Sequence, residues 1–100
     1  MNTHSLKLVT IIGEALAREP LKKLLAEVGA HGHTLFTVEG DGNQGRRNAD
    51  IQEFANIQME VIVPPAVAEK ILTRLEQEFF AKFAMVAYET DIRVLRREKF

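Results

Sequence analysis

The chain predicts an α+β domain: one antiparallel sheet with two helices packed on one of its faces. Three observations carry this prediction. Strand-like runs stand near both ends of the chain, and two further stretches place apolar residues at helical spacing. The elements follow in the order strand, helix, strand, strand, helix, strand. Consecutive strands in the middle, flanked by strand–helix pairs, are what an antiparallel sheet with helices on one side requires.

Residues 6–12 (L-K-L-V-T-I-I) read as the first strand, with Leu6, Leu8 and Ile12 facing one way and Val9 and Ile11 the other. Both sides of that strand therefore want burial. Pro20 suits the first turn of a helix, and Leu21, Leu24, Leu25 and Val28 fall at i, i+3, i+4 and i+7 on one stripe that Gly29 can end. Residues 33–39 form a second strand. Residues 56–63 (N-I-Q-M-E-V-I-V) form a third, with Ile57, Met59, Val61 and Val63 on one parity and Ile62 interrupting the polar side. Pro64 and Pro65 close that strand and open a second helix, since proline lacks the ladder donor but fits a helix start. Its stripe runs through Val67, Ile71, Leu75 and Phe79, widened by Ala68, Leu72 and Phe83, and predicts four turns or more. Residues 84–95 supply the last strand and residues 96–100 a charged tail. The whole, residues 1–100, reads as a single ferredoxin-like βαββαβ domain. Two helices cover only one side of the sheet, so the apolar residues on the other side predict self-association.

Composition narrows the partners. Thirteen basic and fourteen acidic residues give a net charge of −1, too balanced for a general nucleic-acid binder or an electrostatic membrane tether. The chain has no cysteine, which removes disulfides, thiolate metal sites and cysteine nucleophiles. No apolar run approaches the ~20 residues that span a bilayer, and Met1 to Ser5 is polar. A soluble cytoplasmic protein without membrane insertion is expected.

The densest polar cluster is the one long irregular stretch, where Gly40, Gly42 and Gly45 alternate with Asp41, Asn43 and Gln44 ahead of Arg46, Arg47 and Asn48. Glycine amides can wrap an anion there and a guanidinium pair can add bidentate charge; a solvated hairpin loop is the plainer alternative. His31 and His33 could ligate a metal, two-residue spacing in an extended strand placing both imidazoles on one side, or could be surface histidines. Arg93, Arg96 and Arg97 could neutralise phosphate or simply be a solvated strand end. Glu60 and Glu89 lack any His, Ser or metal constellation that would make them catalytic. No catalytic residue is expected.

Taken together, L-A-E-V-G-x-x-G-x-T, then V-x-G-x-G-x-Q, then E-V-I-V-P resemble the PII signalling proteins over residues 7–96. Those are ferredoxin-like trimers that sense adenine nucleotides in clefts between subunits. The resemblance implies that Gly32 and Thr34 line the adenine pocket, with Glu60 and Ile62 on the strand beside it. It also implies that Gly40, Gly42 and Gln44 form the base of a T-loop spanning about residues 40–56, and that Arg96 lies near the phosphates. The chain departs from uridylylated PII proteins in its shorter T-loop, which lacks their tyrosine motif; its one tyrosine, Tyr88, lies in the last strand. The glycine-rich T-G-x-x-G-D-G-K segment that grips ATP phosphates is replaced by F-F-A-K-F-A-M at 79–85, and Glu14 stands where those proteins usually carry lysine.

These departures resemble the PII-like branch associated with inorganic carbon, found beside bicarbonate transporters and carboxysomes. That branch shares the aromatic end of the second helix, an early glutamate and arginines just past the G-x-G, and its members favour AMP, ADP or cyclic AMP, some coupling nucleotide to bicarbonate. The implied protein is a non-enzymatic homotrimer without a resident cofactor. The 40–45 segment, Asp41 included, would wrap ribose and phosphate, while Arg46, Arg47 and Arg96 would supply charge to the nucleotide and to bicarbonate beside it. Ligand would order the T-loop and present residues 50–54 (D-I-Q-E-F) to a transporter or carboxysome component. A CutA-like metal-binding trimer using His31 and His33 is the alternative. An acylphosphatase-type enzyme lacks its phosphate loop here, and an RNA-recognition module lacks its aromatic pair.

Overall fold

A computed structural model describes residues 1–39 and 56–100. Strand β1 (His4–Glu14) passes through a 3₁₀ turn (Ala15–Ala17) into helix α1 (Arg18–Glu27), followed by β2 (Thr34–Val38). Next come β3 (Asn56–Val63), helix α2 (Pro65–Arg74) running on into a π-helical turn (Leu75–Phe79), β4 (Met85–Val94) and a 3₁₀ turn (Arg97–Lys99). The sheet order is β2-β3-β1-β4, and every neighbouring pair is antiparallel. This is the expected ferredoxin-like arrangement, with β1 two residues longer at each end than periodicity suggested.

Strand register assigns the two faces. Val9 lies opposite Val61 and Ile11 opposite Met59, while Gly13 lies opposite Ile57 and Met85. Val9, Ile11, Ile57, Met59 and Val61 join Leu21, Leu24 and Leu25 of α1 and Ala68 and Ile71 of α2 in one buried cluster, with Met85 packed against it. The other parity carries Leu8 opposite Ile62, Thr10 opposite Glu60 and Tyr88, and Ile12 opposite Gln58 and Val86. Thr34 and Phe36 of β2 lie on that same side, opposite Glu60 and Gln58. There Phe36, Val86 and Tyr88 are 40%, 58% and 51% exposed, so the helix-free face is apolar and open to solvent in the single chain.

Local chemistry sets the helix ends. Gly29 takes φ +84, and the amides of Ala30 and Gly29 donate to the carbonyls of Leu25 (2.9 Å) and Ala26 (3.3 Å). This is a Schellman ending, which glycine alone adopts without a Cβ penalty. Pro65 stands at the first position of α2, as expected.

The π turn was not foreseen. Residues spaced four apart drift by about 40° per step on an ideal α-helix, so Val67, Ile71, Leu75 and Phe79 would gradually leave the core-facing stripe. The bond from the Phe80 amide to the Leu75 carbonyl, 3.0 Å, widens the last turn and takes up that drift. Leu75 and Phe79 thereby stay buried, and Phe79 meets Phe83 with ring centroids 5.9 Å apart.

Gly13 marks a close approach between β1 and β4. A Cβ there would lie 2.7 Å from the Met85 Cβ and 3.1 Å from the Ala84 carbonyl oxygen. Beside it, a Glu14 side-chain oxygen accepts the Ala84 amide at 3.1 Å, fastening the entry to β4. No helix among the described residues is long and apolar enough to cross a membrane.

Candidate functional site

The Schellman ending of α1 turns residues 30–33 back toward the sheet edge, where β2 begins at Thr34. A cleft forms there on the helix-free face, lined by Leu8 of β1, His31, Gly32, His33 and Thr34, Glu60 and Ile62 of β3, and Lys99 and Phe100 of the tail. Its floor is apolar (Leu8, Ile62), its wall offers a hydroxyl and a carboxylate (Thr34, Glu60), and the tail adds a cation and an aromatic ring.

Four residues expected at a ligand site, Gly32, Thr34, Glu60 and Ile62, are therefore brought together although 28 positions separate Thr34 from Ile62. Strand pairing explains it: Thr34 is the direct partner of Glu60, and Ile62 follows on the same side. Gly40, Asp41, Gly42, Gln44, Arg46 and Arg47, with the T-loop to residue 55, lie outside the described residues. Arg96 does not line the cleft in the single chain; it is exposed, with its Nε 3.4 Å from the Glu98 carboxylate.

The cleft measures about 210 Å³. Pockets that enclose a small organic ligand hold roughly 300–1,000 Å³, so the cleft formed by the described residues is smaller than a complete ligand pocket. Its open side adjoins the uncovered apolar sheet.

Polar order inside the cleft comes from β3 itself. Gln58 Nε2 donates to Glu60 Oε2 at 3.1 Å between two half-buried side chains. Gly32 has open space where a Cβ would stand, so nothing within the described chain requires glycine there.

Arg93, Arg96 and Arg97 are exposed, as the solvated strand-end alternative has them. Lys99 and Phe100 were not anticipated at the site, and the amide bonds from Lys99 to Arg96 (3.0 Å) and Phe100 to Arg97 (2.9 Å) curl the tail onto the helix-free face. The signal available was a cation beside an aromatic ring a few residues past the last strand. His31 and His33 share the cleft but precede β2 instead of lying within it. Among the described residues no three His, Cys, Asp or Glu side chains converge to hold a metal ion.

Residues 6–99 match the family model for nitrogen regulatory protein P-II. A PII-like signalling protein from Thermus thermophilus is 40% identical over 100% of this chain and 99% of its own, with TM-score 0.87. CPII, a nitrogen regulatory PII-like protein from Thiomonas intermedia solved with ADP, AMP and bicarbonate bound, is 28% identical over 99% of this chain and 96% of its own, with TM-score 0.89. Its apo form is 25% identical over 93% and 95%, with TM-score 0.76. With residues 6–99 matched by the family model and the sheet and helices arranged as in these structures, the chain belongs to the P-II family.

Proposed function

We propose that this protein is a non-enzymatic cytoplasmic regulator that binds adenine nucleotide, with AMP and ADP favoured, in clefts between the subunits of a homotrimer. The observation that carries this reading is the incomplete cleft at Gly32, Thr34, Glu60 and Ile62, opening beside an apolar face that the chain's own helices leave bare. Three copies packing those faces together would bury Phe36, Val86 and Tyr88 and close each cleft with a neighbour's residues.

The ligands named for CPII support adenylates as occupants, with bicarbonate as a second anion. Residues 40–45, Arg46, Arg47 and Arg96 wrap ribose and phosphate in this proposal. Fixing a backbone residue costs about 1–2 kcal/mol, so only a ligand making many contacts can select one arrangement of the T-loop. That arrangement presents residues 50–54 to a transporter or carboxysome component, placing the protein in inorganic-carbon metabolism. The P-II match favours this reading over a CutA-like metal-binding trimer.

Sedimentation analysis combined with calorimetric titration of AMP, ADP, ATP and cyclic AMP, with and without bicarbonate, tests the proposal. The expected result is a species of three chains that binds AMP or ADP most tightly. A stable single-chain species that binds no adenylate would overturn it.

A further inference from the structure

We propose that Gln58 is a positioning residue: it pins the Glu60 carboxylate so that one oxygen is left to accept a hydrogen bond from a donor on the bound nucleoside. The inference rests on the nucleotide reading above and names what makes the cleft selective.

Gln58 and Glu60 are two residues apart on β3 and so stand on the same side of the sheet. Gln58 lies opposite Ile12 on one neighbouring strand and Phe36 on the other. With apolar side chains on both flanks, its amide finds an acceptor along its own strand, and the bond to Glu60 Oε2 at 3.1 Å is the result. Among the described residues, Glu60 Oε1 carries no hydrogen bond, and Glu60 lines the cleft.

An ionised carboxylate only accepts hydrogen bonds, so its partner in the cleft must be a donor. An adenine nucleotide offers two kinds, the exocyclic amine of the base and the hydroxyls of the ribose. Without Gln58 the Glu60 side chain would be free to turn toward water, and its acceptor would no longer be held in place. Preorganisation of this kind improves affinity for a ligand that carries the donor and leaves others little changed.

Calorimetry with ADP, inosine diphosphate and 2′-deoxyadenosine diphosphate reads the effect directly. The first analogue replaces the amine by a carbonyl and the second lacks one hydroxyl. Hydrogen bonds to charged groups predict about tenfold or greater preference for ADP over the analogue that lacks the contacted donor. Gln58→Leu, which keeps an apolar fit against Ile12 and Phe36, should reduce that preference several-fold without lowering the melting temperature. Gln58→Lys, which restores an N–H donor, should retain it, and Glu60→Leu, which removes the acceptor, should abolish it.

Equal binding of all three ligands by the unmodified protein would overturn the inference, as would a Gln58→Leu variant that keeps the full preference. A uniform loss across the three ligands would also overturn it, because that is the mark of a merely structural role. Failure of the unmodified protein to bind any of them would instead remove the nucleotide reading itself, and this inference with it.

Discussion

The two faces of one four-stranded sheet have been put to different uses. On the helix-covered face, Val9, Ile11, Ile57, Met59, Val61 and Val63 are at most 1% exposed, and fold stability resides there. On the other face apolar side chains alternate with Gln58, Glu60 and Thr34, and Phe36, Val86 and Tyr88 remain in solvent. A face that served only folding would not leave large side chains bare beside a polar cleft. Two glycines show the same division. Gly13 is required by the closeness of Met85 within the chain, whereas Gly32 faces open space at the cleft.

Substitutions on either side should separate stability from function. On the covered face, Ile11→Ala should cost about 2–5 kcal/mol in chemical denaturation, from lost burial and an unfilled cavity. Gly13→Ala should cost about 1–3 kcal/mol by overpacking against Met85, because the near atoms are a β-carbon and a backbone carbonyl that cannot swing away. A neutral result for either would show that the core is looser than its burial implies.

On the open face, Val86→Asp should leave monomer circular dichroism intact yet shift sedimentation from three chains toward one, since Val86 is 58% exposed in the single chain. Unchanged assembly would remove this face from the interface. Gly32→Ala should hold stability within about 0.5 kcal/mol while weakening adenylate binding several-fold. Lys99→Ala should behave likewise, and equal affinity in both variants would argue that the cleft is not the binding site.

The smallest effect belongs to neither face. Arg74 on α2 donates from Nε to Glu78 at 2.8 Å and from a terminal nitrogen to Glu27 at 2.8 Å, joining the two helices at the surface. The hydrogen bond from Arg74 holds the Glu78 carboxyl below its ordinary value of 4.5. Because the folded value is depressed, this contribution is fully present above about pH 4.5 and fades as pH falls through the lowered value. Glu78→Gln should therefore shrink the gap in melting temperature between pH 7 and pH 3 slightly, screening by solvent keeping the change small. Identical pH profiles would show the pair contributes nothing measurable.

Much of this was legible beforehand because the signals are local. The third strand fell at residues 56–63 as its alternation indicated, Pro65 opened α2, and Gly29 ended α1. Gly32, Thr34, Glu60 and Ile62 were singled out through motif resemblance, and strand pairing then set them around one cleft. Lys99 and Phe100 were missed because a short charged tail carries no period from which its course could be read. The π turn was missed because stripe counting treats a four-residue spacing as ordinary α-helix.

Periodicity and punctuation alone determined the order and kind of the strands and helices and the core-facing parity of the third strand, since those depend on neighbours within a few positions. Only the tertiary structure decided that Gln58 holds Glu60, that Gly13 must admit Met85 while Gly32 meets nothing among the described residues, and that the tail walls the cleft. Such relations are distances across strands and turns. Residues far apart in the chain acquire them when backbone hydrogen bonding sets the register.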